Sequence, residues 1–298
     1  MSAIDYRSCT LCPRKCRADR TSSVGFCGMS DKMLAARAMV HNYEEPCISG
    51  TRGSGAVFFS GCVLRCVYCQ NASISHENFG IELSEKRLSE IFLELQSKGV
   101  HNINLVSGTQ FYPSVLNALD IASEKLNIPV VWNSGGYENV DAIDRLKSRC
   151  SVFLQDIKYY SSELSLKYSR AEDYYFRAIN AARRMLEATG GPKFNSDGIL
   201  ERGVVIRHLV LPSCRKDSIE LLKNIKERLG TQNIILSLMS QYVPTNKTAL
   251  YKELNRRLTS FEYQSVCDYA LELGFEGYFQ ERDSASLSYT PIFDLSGL

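Results

Sequence analysis

From residue 55 onward the chain alternates short apolar runs with amphipathic segments. Six runs rich in β-branched or aromatic residues have the length of strands: 55–60, 102–107, 129–132, 152–158, 203–211 and 233–239. Between the first two, apolar side chains recur with helical spacing: Leu88, Ile91, Phe92 and Leu95. Ser84 and Gly99 bound this predicted helix, Pro113 opens the next, and Asp217 and Glu220 stand at capping-box spacing before a third. The repeated βα unit predicts a parallel sheet with helices outside it.

Polar residues follow the predicted strands at the points where they end. They are Ser107, Gly108, Thr109 and Gln110 after the second strand, Asn133 and Ser134 after the third, Asp156 and Lys158 at the end of the fourth, Arg207 and His208 on the fifth, and Gln241 after the sixth. Parallel strands of barrel-like α/β folds end at one mouth, where such folds do chemistry. We therefore expect these side chains to converge, the alternative being ordinary loop residues.

Composition narrows the class of protein. The 298 residues are 44% hydrophobic, which is enough for one large domain. The net charge of +2, from 35 basic and 33 acidic residues, gives no reason to expect nucleic-acid or membrane partners. No window approaches 18 uninterrupted apolar residues, and the amino terminus lacks the apolar core of a signal peptide. These features predict a cytoplasmic protein.

Eleven cysteines argue for metal chemistry, because an odd number without a secretion signal does not suit a disulfide scaffold. Seven of them form two clusters: Cys9, Cys12, Cys16 and Cys27 with spacing C-x2-C-x3-C-x10-C, and Cys62, Cys66 and Cys69 with spacing C-x3-C-x2-C. The other four stand alone and are interpreted as buried apolar residues: Cys47, Cys150, Cys214 and Cys267.

The second cluster lies in the loop after the first predicted strand and has only three cysteines. Four thiolates would saturate an iron–sulfur cubane, whereas three leave one iron open to a small molecule. A structural zinc site fits less well because it needs a fourth ligand, and the nearest histidine, His76, is seven residues beyond Cys69.

This C-x3-C-x2-C motif, with Tyr68 before its last cysteine, resembles the signature of radical S-adenosylmethionine (SAM) enzymes. Further segments resemble the branch similar to pyruvate formate-lyase activating enzymes: "CTLCPRKC", "GFCG", "GGYE", "DIKYY", "RGVVIRHLVLP" and "LSLMSQYVP". The resemblance implies a partial (βα)6 TIM-like barrel in which SAM binds the open iron of a 4Fe-4S cluster. Reductive cleavage of SAM then gives a 5'-deoxyadenosyl radical that abstracts hydrogen from the substrate.

The same resemblance implies the site residues. Cys62, Cys66 and Cys69 would be the cluster ligands, and Tyr68 would support the adenine. The other implied SAM-binding positions are Ser107, Gly108, Thr109, Gln110, Asn133, Ser134, Asp156, Lys158 and His208. The alternative for Asp156 and Lys158 is a simple ion pair at a strand end.

The four amino-terminal cysteines can close a complete site of their own, so a structural zinc and a second iron–sulfur cluster both stay open. We expect residues 1–54 to form a cysteine-rich metal-binding segment, residues 55–280 the barrel, and residues 281–298 a tail.

The expected function is hydrogen abstraction from a protein or peptide residue, as in glycyl radical activation, with an electron donor such as flavodoxin or ferredoxin. One alternative is methylation of a protein residue with cobalamin as second cofactor. An alternative of another class is a non-catalytic iron–sulfur or zinc protein that only binds a partner.

Overall fold

The computed structural model describes residues 6–281 and 291–298. Its strands are β1 Leu34–His41, β2 Ser54–Phe59, β3 Ile81–Glu82, β4 Ile103–Val106, β5 Val130–Ser134, β6 Val152–Asp156, β7 Lys193–Phe194, β8 Leu200–Leu209, β9 Ile235–Met239 and β10 Gly277–Phe279. Its α-helices are α1 Pro46–Ser49, α2 Ala72–Ser75, α3 Glu85–Ser97, α4 Tyr112–Ala122, α5 Val140–Leu146, α6 Ser162–Ser169, α7 Tyr174–Thr189, α8 Arg215–Leu229 and α9 Ser260–Glu272.

The strands form a largely parallel sheet in the order β10-β9-β8-β6-β5-β4-β2-β1-β3. Strands β2, β4, β5, β6, β8, β9 and β10 pair in parallel, β1 is antiparallel to β2, and β7 pairs antiparallel with β8. All six predicted strands are present. The prediction of a partial barrel is confirmed, since the described sheet is open and not closed.

Burial on both faces explains why the parallel strands have nearly continuous apolar sequences. Every residue of β2, β4, β5, β6 and β9 is buried. Helices cover one face of the sheet, and the other face lines the barrel interior. Strand β1 was missed by pattern analysis because its alanine-rich sequence has low β propensity. It is a strand because it pairs with β2 along most of its length.

The helix boundaries test the start and stop signals. Ser84 caps α3 as predicted, with its hydroxyl accepting from the N–H of Arg87 at 3.1 Å, and Gly99 follows the helix with a φ of +79°. The predicted capping box at Asp217 is wrong, because α8 begins at Arg215. The carboxylate of Asp217 instead accepts from the N–H groups of Tyr160 and Ser161, at 3.1 and 2.7 Å, ahead of α6.

The last described segment, residues 291–298, runs beside β1. The Leu295 N–H donates to Ala36 O and the Ala38 N–H to Ser296 O, both at 3.0 Å. The predicted tail therefore lies only partly within the described residues. No helix of residues 6–281 is long and apolar enough to cross a lipid bilayer.

The turn after β5 places the polar residues of that strand end against β6. Gly136 has a φ of +83°, and a Cβ there would collide with the carbonyl oxygen of Asp156. Only glycine allows the two strand ends to approach this closely.

We expect Gly136→Ala to destabilise the protein more than Gly99→Ala. Both alanines carry the strain of left-handed backbone, on the order of 1–3 kcal/mol. Gly99 has no neighbour within 4 Å of an added Cβ, whereas the collision at Gly136 adds about 1–3 kcal/mol of overpacking. Urea unfolding of both variants measures the difference, and equal losses would contradict the steric role of Gly136.

Candidate active site

The loop that carries the three clustered cysteines follows β2 directly. Arg65 has a φ of +52°, so the backbone turns sharply between Cys62 and Cys66. Cys66 is buried, whereas Cys62 and Cys69 are partly exposed. Each sulfur accepts one hydrogen bond: from Leu64 N–H to Cys62 Sγ at 3.4 Å, from the Ser169 hydroxyl to Cys66 Sγ at 3.0 Å, and from the Ser75 hydroxyl to Cys69 Sγ at 3.2 Å.

Burial opposes ionisation of the Cys66 and Cys69 thiols. It raises the pKa of Cys66 to about 12, although the ammonium of Lys158 lowers it in part. Burial also raises the pKa of Cys69, and the hydroxyl of Ser75 opposes that shift. Metal binding must therefore release protons from this loop.

The three cysteines share a cavity of about 240 Å³ with polar residues from the carboxyl ends of the strands. The predicted site residues that line it are Cys62, Cys66, Cys69, Tyr68, Ser107, Asn133, Ser134, Asp156 and Lys158. Gln241 and Arg207 line it as well, together with Glu44 from the segment after β1. Residues from seven separate parts of the chain thus meet at one mouth.

A network of charged and amide groups crosses this cavity. The carboxylate of Asp156 accepts from Lys158 Nζ at 2.5 Å and from Arg207 Nε at 2.8 Å. Arg207 donates in turn to Asn133 Oδ1 at 2.7 Å and to Glu44 Oε2 at 3.2 Å. The simple ion pair weighed from the sequence is therefore one part of a larger network.

The pKa shifts show that the Asp156–Lys158 pair is ionised. Burial tends to raise the pKa of Asp156, but Arg207 and Lys158 outweigh it and the pKa is lowered. Burial tends to lower the pKa of Lys158, but Asp156 and Cys66 outweigh it and the pKa is raised. A fixed anion between two fixed cations suits a zwitterionic ligand.

Tyr68 lies at the cysteine end of the cavity, among other buried tyrosines. Its hydroxyl accepts from Tyr159 Oη at 2.6 Å, and Tyr159 is also 2.8 Å from the hydroxyl of Ser169. Because Ser169 donates to Cys66 Sγ, the orientation of Tyr68 is coupled to that of a cysteine.

Three predicted residues of the loop after β4 do not line the cavity. Thr109 donates to Glu138 Oε1 at 2.6 Å, and Gln110 donates to the carbonyl oxygens of Ser60, Gly61 and Ser107 at 2.8 to 3.2 Å. Gly108 packs on Trp132, whose ring would lie 3.0 Å from an added Cβ. Gln110 thus supports the start of the cysteine loop from behind, and contact of these three residues with SAM stays a prediction.

His208 is also absent from the cavity wall. It is buried, with Nδ1 2.8 Å from Ile157 O and Nε2 2.8 Å from the hydroxyl of Ser218 on α8. Burial lowers its pKa to about 4, so it is neutral. Successive side chains of a strand point to opposite faces, and on β8 it is Arg207 that faces the cavity. The ribose contact expected of His208 stays a prediction.

Sequence patterns did not reveal the roles of Glu44, Ser75 and Ser169. Glu44 comes from a segment before the first parallel strand, where no spacing points to the site. Ser75 and Ser169 lie on α2 and α6, and only the folded chain brings them to Cys69 and Cys66.

Comparison with known proteins relates about half of the chain to a known family. Residues 56–201 match the Radical SAM superfamily. The chain contains a radical SAM domain. This match supports the interpretation of the chain as an enzyme. It also implies SAM and a 4Fe-4S cluster as cofactors.

The radical SAM domain has relatives of known sequence and structure. The uncharacterized protein MJ0674 of Methanocaldococcus jannaschii is 29% identical over 279 residues, covering 89% of this chain and 75% of that protein. SuiB of Streptococcus suis bound to S-adenosylmethionine is 14% identical with a TM-score of 0.53, over 74% of this chain and 48% of SuiB. SuiB bound to its precursor peptide SuiA gives 15% identity and a TM-score of 0.50, over 71% and 43%. The chain thus matches about half the length of SuiB, and this likeness shows the fold.

The residues of the cavity fit the cofactors that the family implies. Three thiols lie on one wall, each with a hydrogen-bond donor of its own. In the described residues, no three His, Cys, Asp or Glu side chains converge on the position of a single metal ion. Thiolates that bind a four-iron cluster each hold a different iron, so a cluster does not require that convergence.

The amino-terminal cysteines lie outside this cavity but next to it. Cys9, Cys12 and Cys27 are buried and Cys16 is exposed, in the loops that precede β1. The N–H of Cys62 donates to the carbonyl oxygen of Cys27 at 3.3 Å, so the two cysteine groups are in direct contact.

We expect Asp156→Asn to lower the free energy of unfolding of the metal-free protein by on the order of 3 kcal/mol. The change leaves Arg207 and Lys158 without their shared anion. Lys158→Met should have a smaller effect, because Arg207 still neutralises Asp156. Urea unfolding compares the two variants, and a larger loss for Lys158→Met would contradict the proposed balance of charges.

Proposed function

We propose that this chain cleaves SAM reductively and uses the resulting 5'-deoxyadenosyl radical to abstract hydrogen from a protein or peptide residue. Cys62, Cys66 and Cys69 would hold the 4Fe-4S cluster, which would bind SAM and supply the electron for its cleavage. The observation that carries the proposal is that these cysteines and the Asp156–Lys158 pair line one cavity. A donor such as flavodoxin or ferredoxin reduces the cluster.

The polar side chains of the cavity bind and orient SAM. Lys158 and Arg207 attract its carboxylate, and Asp156 attracts its ammonium group, so the charges of the methionine moiety meet opposite charges. Asn133 and Ser134 supply hydrogen bonds at the end of β5. Tyr68 offers an aromatic edge for the adenine, in an orientation fixed by Tyr159.

The shape of the cavity supports a large substrate. Its wall extends from the cysteines to His41, Tyr43 and Phe58 and to Pro291 beside β1, on the side where the sheet is open. Tyr43 is 62% exposed, so this end reaches the protein surface. An extended peptide can place one residue near the cluster while its flanks stay outside. SuiB, which shares the fold, is known with a precursor peptide bound.

We expect anaerobically reconstituted protein to bind about four irons at this loop and to convert SAM to 5'-deoxyadenosine with dithionite. Replacing Cys62, Cys66 and Cys69 together with alanine should abolish the product, which chromatography measures. Cys150→Ala is the matched control, since Cys150 is a buried cysteine remote from the cavity and should leave the product unchanged. SAM cleavage by the triple variant would refute the ligand assignment.

We expect Asp156→Asn and Lys158→Met to weaken SAM binding by roughly 1.5–3 kcal/mol, or about 10-fold to 150-fold, as for hydrogen bonds to charged groups. Isothermal titration of the reconstituted variants measures the dissociation constants. Lys147→Met is the control, because Lys147 also pairs with an aspartate, Asp144 at 2.8 Å, but lies on the surface. Unchanged affinity in both cavity variants would eliminate the proposed roles.

A further inference from the structure

We propose that Cys9, Cys12, Cys16 and Cys27 bind a thiophilic metal centre of their own, and that this centre fixes the loop that carries Cys62, Cys66 and Cys69. The centre is an iron–sulfur cluster, whose four thiolates each bind a different iron, because no three described His, Cys, Asp or Glu side chains converge on the position of a single metal ion. The metal site itself does not depend on the proposed function. The importance of this site for catalysis does rest on the proposed function.

The thiols lie around Arg20 and Gly25. A Cβ placed on Gly25 would lie 3.4 Å from Cys16 Sγ, 3.5 Å from Cys27 Sγ and 3.5 Å from Arg20 Cδ. Arg20 Nη1 lies 3.6 Å from Cys9 Sγ. These contacts bring together residues that are up to 18 positions apart, and the buried Cys12 follows Cys9 by three positions.

Hydrogen-bond donors surround the sulfur atoms, as expected for thiolates. Backbone N–H groups donate to three of them: Arg14 to Cys12, Ala18 and Phe26 to Cys16, and Met29 to Cys27. The guanidinium of Arg20, which is 1% exposed, places Nη1 3.6 Å from Cys9 Sγ. A buried cation and several amides compensate the negative charge that four thiolates bring to a metal.

The segment needs such a centre to keep its shape. In the described chain, neither helix nor strand occurs between the 3-10 turn Tyr6–Ser8 and β1. Three of its buried side chains are cysteines, and few large apolar side chains join them. Short irregular segments with so small a core usually rely on a bound metal for stability.

Direct contacts carry the position of this segment to the catalytic cysteine loop. Three hydrogen bonds cross between them: Cys62 N–H to Cys27 O at 3.3 Å, Arg14 Nε to Val63 O at 2.8 Å, and Arg65 Nη1 to Phe26 O at 3.4 Å. Gly61 has a φ of +77°, and a Cβ there would lie 2.9 Å from Cys27 O. The backbones are therefore in van der Waals contact at the point where the loop begins.

Two residues extend the coupling. Arg14 also donates through Nη2 to Ser169 O at 2.6 Å, and Ser169 is the donor to Cys66 Sγ. Arg20 donates to Gln110 O at 2.9 Å, and Gln110 holds the carbonyl oxygens of Ser60 and Gly61. Movement of the amino-terminal loops would thus shift both ends of the catalytic loop.

Metal analysis of the full chain carrying Cys62→Ala, Cys66→Ala and Cys69→Ala tests the site, since that variant has no radical SAM ligands. We expect about four irons per chain with the visible absorption of a cluster, and about one zinc without that absorption would overturn the assignment to a cluster. Adding Cys16→Ala should reduce the bound metal at least about fivefold, with little loss of packing because Cys16 is exposed. Adding Cys267→Ala, at a lone buried cysteine of α9, should leave it unchanged.

Hydrogen exchange in the same variants tests the coupling. We expect the amides of residues 61–69 to exchange at least about tenfold faster after Cys16→Ala, while those of α9 stay protected. A triad variant that binds no metal after supply of zinc and of iron with sulfide, or a metal content that Cys16→Ala leaves unchanged, would overturn the site. Loss of metal without faster exchange at residues 61–69 would overturn the coupling. Failure of the wild-type protein to cleave SAM would refute the proposed function but not these results.

Discussion

The parallel direction of β2, β4, β5, β6, β8 and β9 is the constraint on which the site depends. Parallel strands bring all their carboxyl ends to one edge, so the residues that follow each strand share a mouth even though the helices separate them in sequence. The cysteine loop after β2 and the Asp156–Lys158 pair at β6 meet for this reason. Both faces of these strands are buried. This burial keeps the strands in the sheet, because it removes their side chains from water on either side.

Charge balance is the second requirement of the cavity. Asp156 pairs with Lys158 and Arg207, two cations that would otherwise be buried without compensation. Glu44 supplies a second negative charge and accepts from Nη1 of Arg207. The antiparallel strand β1 makes this possible, since the chain after it enters the barrel interior from outside the βα repeat. Ligand binding then exchanges some of these contacts for contacts with a zwitterion, without bringing in unpaired charge.

The catalytic cysteine loop is supported from two sides. On one side, Gln110 donates to the carbonyl oxygens of Ser60 and Gly61, and Gly135 lies against Leu64, which is 2.9 Å from the position of an added Cβ. On the other side, the amino-terminal cysteine segment contacts it through Cys27 and Arg14. Val63, Leu64 and Tyr68 of this loop are themselves buried, so its order depends on packing as well as on these neighbours.

The sequence by itself determined the repeated elements of the parallel sheet and the position of the cysteine loop. Local apolar patterns are sufficient to specify the six parallel strands and the capped helix α3, and the cysteine spacing marks the cluster loop because the ligands lie close together in the chain. Only the tertiary structure decided which side chains face the cavity. Arg207 and His208 are adjacent, and the strand's position in the curved sheet selects the former. Glu44 and Ser169 reach the site through contacts distant in sequence, and no local pattern encodes such contacts.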